Sequence, residues 1–386
     1  MERGLKILHV STYAKGGAAA AAIRTHEALV AQGADSKILF LEGGKTIPKS
    51  ASFAAFIGLL RYRMGYILMR ILSFLPTIGK PKTYVNSIWS PFDIRKHPFF
   101  KESDIIQLHW TSKFVNLETV FQADKKYVVT HHDMFYTNGF NHYRTGFDSS
   151  AYSKQSKRRL EKMKKVLNQS HIYPVAPSKW LCSEVMNAQV YQNEIQRIPY
   201  CLDLHVFKPS YTEKTDSKKS ILFAAEHVND KRKGYRFLLE ALSHLKNDNL
   251  RLLVLGGGEV PQMDIEIEAL GYKSSSKELS MIYNRADVFV IPSLEDNLPN
   301  TVLEALACGT PVVGFNVGGI PDMVDHKRNG YVAVYKDARD MAKGINYCLD
   351  SNNAKNLVQN ARIKAQENYS PTKIVDAYKK LYSKIR

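Results

Sequence analysis

The chain lacks several features that define common protein classes. Its 386 residues include only four cysteines, Cys182, Cys201, Cys308 and Cys348, and no Cys-x-x-Cys pair. Neither a zinc site nor a disulfide scaffold is therefore indicated, and we expect a reducing cytosol. No two aspartates are separated by one residue and no Gly-x-Ser-x-Gly occurs. We therefore expect no metal, no cofactor and no serine nucleophile.

Long uncharged apolar runs are also missing. The segment Lys6–Val10 is too short for a signal-peptide core and leads into a glycine loop, which predicts a buried first strand. From Phe53 to Leu75 apolar residues recur at spacings of three and four, but three arginines argue against a membrane span. The pattern fits an interfacial helix and a helix packed on a sheet equally well.

Basic residues are in excess, and they are unevenly placed. The net charge is +17. Up to Tyr200 there are 28 Lys plus Arg against 14 Asp plus Glu, which gives +14; the remaining 26 against 23 gives +3. We expect an anionic partner for the first half, either a membrane surface or a pyrophosphate-linked substrate; no nucleic-acid-binding motif is present. Seven of the twelve residues from Lys154 to Lys165 are basic, which fits a solvated helix face or a contact with anionic lipid or pyrophosphate.

Short β-branched runs alternate with helical patterns in two series, which predicts two α/β domains with parallel, doubly wound sheets. The predicted domains are residues 1–200 and 201–370, with the polar stretch Lys208–Lys219 as linker. The predicted strands of the first domain are Lys6–Val10, Ser36–Leu41, Ile105–Leu108, Tyr127–Thr130 and Ile172–Ala176. Those of the second are Ser220–Ala225, Leu250–Leu255, Asp287–Ile291, Pro311–Phe315 and Tyr331–Val334.

The run from Pro292 to Val313 carries the most functional information. It places Glu295 and Asp296 in a loop, followed by a helix from about Asn300 that carries Glu304. A helix N-terminus favours an anionic phosphate, because its backbone N–H groups are free. Carboxylates repel phosphate and are better suited to sugar hydroxyls. The loop therefore predicts a receiver for a nucleotide sugar.

This run resembles the signature of the family-4 retaining glycosyltransferases, in which a glutamate is followed, after seven residues, by a second glutamate and Ala. Asp296 and Glu304 occupy the two positions, and Glu295 lies one step early. Either Asp296 replaces the first glutamate or Glu295 serves after a one-residue slip. The form EDNLPNTVLEA is similar to a variant found among polysaccharide and colanic-acid biosynthesis enzymes.

The resemblance implies the GT-B fold, with two Rossmann-like domains facing a cleft. Residues 1–200 form the acceptor-side domain, residues 201–370 bind the nucleotide sugar, and a C-terminal helix, residues 371–386, crosses back to the first domain.

Further site residues follow from the same resemblance. Thr130, His132 and Asp133 match a Thr-x-His-Asp pattern, which makes His132 the residue that contacts the donor sugar. Gly16 and Gly17, in the loop after the first strand, approach the sugar or the donor phosphate.

A basic loop after the strand Ser220–Ala225 carries three consecutive cations that can neutralise a diphosphate. Lys233, followed by glycine, matches the family lysine, whereas the usual upstream arginine is absent and Arg232 or Lys231 substitutes. By resemblance, Gly271 and Tyr272 contact the base. The remaining donor-binding residues are Asn297 and Leu298.

The function implied is retaining, metal-independent transfer of a sugar from a UDP-linked or other nucleotide-diphosphate donor to a glycan. The expected acceptor is linked to a lipid pyrophosphate in bacterial surface polysaccharide synthesis, with the enzyme in the cytoplasm on the inner face of the membrane. The proposed catalytic residues are His132, Glu304, Asp296, Glu295 and Lys233. Two alternatives are a GT-B nucleotide-sugar epimerase and a non-catalytic nucleotide-sugar-binding module.

Overall fold

A computed structural model describes residues 4–44, 46–74, 88–143, 150–210, 217–245, 249–260 and 264–386. The chain forms two compact units. The first comprises Met1–Tyr200 with Ile374–Arg386, and the second comprises Cys201–Lys373. Of the predicted linker, residues 211–216 lie outside the described residues.

The first unit is a parallel α/β structure. Its strands are β1 (Lys6–Ser11), β2 (Asp35–Phe40), β3 (Ser50–Ser52), β4 (Ile105–Leu108), β5 (Lys126–Thr130), β6 (Ile172–Ala176) and β7 (Gln196–Arg197). Its helices are α1 (Gly17–Ala31), α2 (Phe53–Ile57), α3 (Leu59–Phe74), α4 (Pro98–Glu102), α5 (Leu117–Val120), α6 (Ser150–Leu167) and α7 (Lys179–Ala188).

All strand pairs of the first sheet are parallel, in the order β3-β2-β1-β4-β5-β6-β7. From β1 the sheet extends through β2 to β3 on one side, and the chain then returns so that β4 pairs with the other side of β1. Loops that leave β1 and β4 therefore diverge at this switch point, where doubly wound sheets open a crevice at the carboxyl ends of their strands. Alternate residues of the strands face opposite helical layers, for example Leu8 and Val10 on one side and Ile38 and Phe40 on the other.

The second unit repeats the plan. Its strands are β8 (Lys219–His227), β9 (Leu250–Gly257), β10 (Glu266–Gly271), β11 (Val288–Ile291), β12 (Val312–Phe315) and β13 (Gly330–Ala333). Its helices are α8 (Tyr235–Ser243), α9 (Ser276–Arg285), α10 (Asn300–Ala307), α11 (Ile320–Met323), α12 (Ala338–Leu349) and α13 (Ser351–Tyr369). The parallel order β10-β9-β8-β11-β12-β13 puts the switch point between β8 and β11.

The last helix, α14 (Pro371–Ile385), joins the first unit although it follows the second in sequence. Its apolar face is buried through Ile374, Val375, Tyr378 and Tyr382. The Tyr382 hydroxyl donates to the side-chain oxygen of Gln107 on β4. The crossing helix that the resemblance implies is present.

Most predicted strands lie within two residues of the observed ones, and the parallel doubly wound architecture is confirmed. Three strands were not predicted: β3 and β7, which have three and two residues, and β10. Strand β10 lies at the sheet edge and carries two exposed or half-buried glutamates, so its sequence lacks the apolar run of a central strand.

The predicted apolar helix from Phe53 to Leu75 is two helices. Gly58, with φ of +81°, ends α2, because a left-handed backbone interrupts the helix. Helix α3 follows and is described as far as Phe74, so Leu75 lies outside the described residues. Tyr62 and Met69 pack toward the core, and Gly65 lies so close to Phe92 that a Cβ would come within 2.8 Å of its ring.

The opposite face of α3 is an outward stripe of Leu60, Met64, Ile67 and Ile71, whose side chains are between 55% and 74% exposed. These residues recur at helical spacing, so they form one continuous apolar surface. One face of this segment thus packs on the core, as the packed-helix interpretation predicts, and the other face is open; the interfacial interpretation stays a prediction. Among the described residues, no helix is long and apolar enough to cross a membrane.

Candidate functional site

At the switch point of the second unit, the loops after β8 and β11 are joined through their backbones. The Leu294 N–H donates to the Arg232 carbonyl oxygen over 2.7 Å. Gly234, between the basic turn and α8, has φ of +68°, and a Cβ there would lie 1.9 Å from the Pro292 carbonyl oxygen. Only glycine allows this contact. The loop that carries the cations is thereby fixed against the loop that carries the acids.

The Asp296 side chain is the centre of this junction. Its Oδ2 lies 2.6 Å from Lys233 Nζ, 3.2 Å from Ser293 Oγ and 3.8 Å from an Arg232 guanidinium nitrogen. The residue is 8% exposed. Burial by itself raises the pKa of the Asp296 carboxyl, but Lys233 and Arg232 lower it by more, so the pKa lies below its ordinary value. The carboxylate is ionised and faces two cations.

The geometry separates residues that the sequence left as alternatives. Arg232 donates to the Glu295 backbone carbonyl oxygen over 3.0 Å, so Glu295 contacts this guanidinium through its backbone. The Asp296 carboxylate is the group that meets both cations. Lys231 is exposed, whereas Arg232 and Lys233 are half-buried. Which acid fills the first signature position, and which cation replaces the upstream arginine, stay predictions.

Glu304 lies on α10, one turn beyond the helix start. It is the fifth residue from Asn300, whereas a capping glutamate occupies the third, so helix capping does not explain it. Its side chain is buried, and its Oε2 accepts a hydrogen bond of 3.0 Å from the Tyr283 hydroxyl of α9. A buried carboxylate held by a hydroxyl suits recognition of another hydroxyl.

The remaining predicted donor residues are placed differently. Asn297 and Leu298 are buried in the acidic loop beside Asp296. Gly271 ends the edge strand β10, three positions from β11 in the sheet, and the neighbouring Tyr272 is 63% exposed. At about 4.8 Å per strand, this separates them from the acidic loop by roughly 14 Å. Gly271 and Tyr272 therefore lie at another part of the sheet edge, and their contact with the base stays a prediction.

Two glycines contact the backbone of the acidic loop. A Cβ on Gly318, whose φ is +58°, would lie 1.8 Å from the Asp296 carbonyl oxygen. The Gly319 N–H donates to that same oxygen over 3.2 Å. The Gly319 N–H is thus used within the protein.

In the first unit, Gly16 and Gly17 follow β1 and begin α1. Gly16 has φ of +91°, and a Cβ placed on it would meet no atom of the described residues within 4 Å. Its backbone therefore requires glycine, and the space beside it is open to a ligand. The Gly16 carbonyl oxygen already accepts the first helical bond, from the Ala20 N–H.

His132, predicted to meet the sugar, belongs to a chain of hydrogen-bonded rings. His9 Nδ1 lies 2.9 Å from His109 Nε2, and His109 Nδ1 lies 3.0 Å from His132 Nε2. His132 Nδ1 lies 2.8 Å from the Tyr200 hydroxyl. Both ring nitrogens of His132 are thus engaged within the first unit. Burial lowers the pKa of His132 to about 4, against the opposing charge of Asp133.

Sequence reasoning missed this chain, although a signal was available. His9 lies near the end of β1, His109 directly follows β4 and His132 follows β5. These strands are neighbours in the observed order. Polar residues at the carboxyl ends of adjacent parallel strands converge, but the order of strands has to be known first.

The other half of the Thr-x-His-Asp pattern has its own partners. Asp133 accepts from the Phe135 N–H over 2.8 Å and lies 2.7 Å from His142 Nδ1. The His142 ring stacks on Trp110 with 4.1 Å between ring centroids. Asp133 therefore orients the aromatic loop after β5. A small cavity of about 10 Å³ lies among His109, His132 and His142.

Comparison with known proteins finds similarity over part of the chain. Residues 218–351, about a third of the chain, match the family model described as "Glycosyl transferases group 1". An uncharacterised glycosyltransferase of Methanocaldococcus jannaschii is 31% identical over 167 residues, 40% of this chain and 42% of that protein. The N,N'-diacetylbacillosaminyl-diphospho-undecaprenol alpha-1,3-N-acetylgalactosaminyltransferase of Campylobacter jejuni is 26% identical over 201 residues, 48% of this chain and 52% of that protein.

A third relative is the putative colanic acid biosynthesis glycosyltransferase WcaL of Escherichia coli, 29% identical over 159 residues, 36% of this chain and 39% of that protein. The matches thus span about half, or less, of the length of these curated relatives.

Solved structures extend the likeness to the whole chain. Sucrose-phosphate synthase from Thermosynechococcus elongatus superposes with a TM-score of 0.72 at 19% identity, covering 99% of each chain. HepE of Anabaena, solved with UDP and glucose, gives a TM-score of 0.67 at 16% identity and covers 98% of this chain and 99% of its own. The fold is GT-B. The switch point between β8 and β11 is therefore in the second α/β domain of a GT-B protein.

Two glycine substitutions test how the acidic loop is held. Gly318→Ala places a methyl group against the Asp296 carbonyl, and we expect it to destabilise the GT-B chain by roughly 3 kcal/mol or more. The matched control is Gly271→Ala, whose φ is +67° with no atom of the described residues within 4 Å of the new Cβ; it should cost only about 1–2 kcal/mol. Scanning calorimetry measures both, and equal losses would show that the contact with Asp296 is not tight.

Proposed function

We propose that this protein is a retaining glycosyltransferase that takes a sugar from a nucleotide-diphosphate donor. The observation that carries the proposal is the cluster of Arg232, Lys233 and Asp296 at the switch point of the second sheet. Doubly wound domains bind their ligands at this place. The family match over residues 218–351 includes the whole cluster and Glu304.

The charges of the cluster suit a diphosphate. The two cations at the mouth of β8 are paired with Asp296 and, through Arg232, with Asp230, so a diphosphate meets positive charge that is already in place. A diphosphate that enters would share these cations with Asp296, and its growing charge on departure would be stabilised by groups that are already oriented. We propose that this positive charge replaces a divalent metal, so that transfer is metal-independent.

The carboxylates take the hydroxyl groups of the donor. The three contacts of Asp296 described above all reach Oδ2, so we assign its Oδ1 to a hydroxyl of the sugar. Glu304 is assigned to the ribose, with Tyr283 holding one of its oxygens. Asn297 and Leu298 line the donor, and Gly16, Gly17 and His132 are the groups of the first unit that meet the sugar.

We further propose that the donor is UDP-linked and that the acceptor is a glycan on a lipid pyrophosphate. The donor assignment is supported by HepE, which was solved with UDP and glucose. The acceptor assignment is supported by the name of the Campylobacter relative, which acts on a diphospho-undecaprenol substrate, and by that of WcaL, a putative colanic acid enzyme. The role would then be surface polysaccharide assembly.

An acceptor of this kind places the enzyme at a membrane, and α3 offers a surface for it. The outward stripe of Leu60, Met64, Ile67 and Ile71 is exposed. Between Glu42 and Asp93 the sequence has no acidic residue and seven basic ones: Lys45, Lys49, Arg61, Arg63, Arg70, Lys80 and Lys82. An apolar stripe in a wholly basic segment complements an anionic lipid surface. We propose that the protein is peripheral on the inner face of the cell membrane.

Donor binding is the first test of the function. Thermal shift with UDP, GDP and a panel of their sugars should show stabilisation by one donor class, about 2.7 kcal/mol at a hundredfold excess over the dissociation constant. EDTA should leave both this shift and turnover unchanged. Stabilisation that appears only with magnesium or manganese would contradict metal independence, and release of a free epimerised sugar from donor alone would identify an epimerase.

Variants of the cluster test the roles of its residues. Glu304→Gln should weaken donor binding and turnover roughly 10- to 150-fold, because the amide cannot make the charge-assisted bond, worth about 1.5–3 kcal/mol. Lys233→Ala should lower turnover by about 100-fold or more. Isothermal titration and a donor-consumption assay measure both effects.

Matched controls exist for each charge. The neighbouring Lys231 and the helix residue Glu240 are exposed, so Lys231→Ala and Glu240→Gln should retain full activity. Asp296→Asn should reduce turnover far more than Glu295→Gln, because Asp296 meets the cations. A fully active, folded Glu304→Gln protein would show that the site is elsewhere.

Vesicle flotation tests the membrane proposal. The protein should float with anionic vesicles and be partly released by salt, since each basic residue near the surface contributes about 1 kcal/mol. Leu60→Ser with Ile67→Ser should remove the salt-resistant part. Charge reversal to Glu at Lys157 and Arg158, two of the exposed basic residues of α6, should weaken the salt-sensitive part without changing donor binding.

The control for the apolar change is Met186→Ser with Met281→Ser, which removes side chains that are 58% and 61% exposed elsewhere on the chain. This variant should float like the wild type. Equal flotation with neutral and anionic vesicles at low salt would contradict the membrane proposal. Self-association that is abolished only by the Leu60 and Ile67 substitutions would also contradict it and would indicate another partner for the stripe.

A further inference from the structure

The chain of hydrogen-bonded rings, which runs from His9 through His109 and His132 to Tyr200, is buried at its His9 end. His9 and His109 are fully buried, and His9 Nε2 has no hydrogen-bond partner among the described residues. The other end, the bond between His132 and Tyr200, is partly exposed. The three links are 2.9, 3.0 and 2.8 Å long, so all are hydrogen bonds of ordinary length.

Protons can be arranged along this chain in two ways only. A neutral imidazole carries one N–H, so a ring that donates on one side accepts on the other. In the first arrangement every histidine is protonated on Nδ1, and donation runs from His9 through His109 and His132 to Tyr200. In the second every histidine is protonated on Nε2, and the Tyr200 hydroxyl donates to His132.

The two arrangements differ in cost at His9. In the second, His9 Nε2–H is a buried donor without an acceptor, whereas in the first only a lone pair is left without a partner. Orphaned buried N–H groups are rarer in proteins than under-satisfied acceptors, which favours the first arrangement. The ionisable groups facing the chain are His26 of α1 and Asp133 after β5.

Charge is excluded from the chain at neutral pH. Burial, together with the neighbouring histidines, lowers the pKa of His9 and of His109 well below the ordinary value. Asp133 opposes this effect at His132, but burial dominates there too. All three rings are therefore neutral, as both proton arrangements require.

We propose that His9 and His109 are positioning residues that hold His132 in the Nδ1–H form, so that His132 donates to the Tyr200 hydroxyl. Neither ring nitrogen of His132 is then available as a general acid or base, and the Tyr200 proton is directed away from His132. The consequence for sugar transfer rests on the proposed function: His132 acts as a fixed neutral group, and the Tyr200 hydroxyl is the polar donor of the pair.

The chain also prevents His132 from gaining a proton. A protonated His132 donates from both nitrogens, which would reverse the two upstream bonds and leave an N–H without an acceptor at His9. In His109→Gln the amide oxygen can accept from a protonated His132, so this obstacle is removed while the burial remains. The pKa of His132 should therefore rise above its wild-type value but stay below the ordinary 6.5 of histidine.

Nitrogen-15 NMR of the histidine rings in the full-length protein without substrate tests the proposal. In the wild type, His132 should remain neutral and protonated on Nδ1 from pH 8 to pH 5. His109→Gln should raise its pKa by at least about one unit, so that a substantial protonated fraction appears at pH 5. Tyr200→Phe should leave the Nδ1–H form unchanged, because the order is set from the His9 end.

A matched control is His131→Phe. His131 is buried next to His132 in sequence, but its ring bonds to Tyr191 and lies outside the chain. This change should leave the tautomer and titration of His132 unaltered. All three tryptophans lie within the first 200 residues, so their fluorescence reports whether the first unit of each variant is folded. If His109→Gln does not fold, the wild-type tautomer decides the question.

An Nε2–H form of His132 in the wild type, or an unchanged titration in folded His109→Gln, would overturn the proposal. The spectra need no donor, so they separate this inference from the proposed function. An Nδ1–H form in a protein that binds no nucleotide sugar would contradict only the function, and active transfer with an Nε2–H form would contradict only the inference. In an active enzyme, kcat of His109→Gln should fall near pH 5 where the wild type does not.

Discussion

The buried carboxylate of Asp296 is the constraint on which the second unit depends. An ionised carboxylate with little exposure is costly unless cations and hydrogen bonds compensate it. Lys233 at 2.6 Å and Arg232 at 3.8 Å supply that compensation from the loop after β8. The loops after β8 and β11 must therefore stay together, and the close backbone contacts at Gly234 and Gly318 are what this requires.

The same pairing prepares the cations for a ligand. Long basic side chains lose rotational freedom when they bind a phosphate, and that loss opposes binding. Here Asp296 already orders Lys233, and Asp230 orders Arg232 through a bond of 3.2 Å to its guanidinium. A diphosphate would thus meet cations that are already oriented. When the diphosphate leaves, Lys233 and Arg232 pair with Asp296 again, so the cluster returns to its resting arrangement.

The sequence was sufficient for the architecture and for the acidic and basic loops, because these are local patterns. The strands were found from β-branched runs, and the loops from the charges that follow them. It was insufficient wherever a contact depends on strand order. His9 and His109 are 100 residues apart and meet only because β1 and β4 are neighbours.

Other features escaped because they depend on backbone geometry or on small energetic differences. The apolar segment is broken at Gly58 because the backbone there is left-handed. A glycine inside a helical sequence pattern does not by itself indicate such a break. The choice between Glu295 and Asp296 depended on which side chain points at Lys233 and Arg232. Adjacent residues in a loop differ in direction, and no spacing rule gives that direction.

The two units use opposite electrostatic solutions for their polar sites. The second concentrates charge, so its cluster responds to the charge of a ligand and to competing anions. The first excludes charge from its ring chain, because each histidine there is neutral and both nitrogens of His109 and His132 are bonded. Because the ring chain is neutral, it adds no internal charge that the basic surface residues of the first unit, such as Lys157 and Arg158, would have to balance. The proposed proton arrangement also keeps the ring of His132 in one orientation at neutral pH, since its protonation requires the buried end at His9 to rearrange.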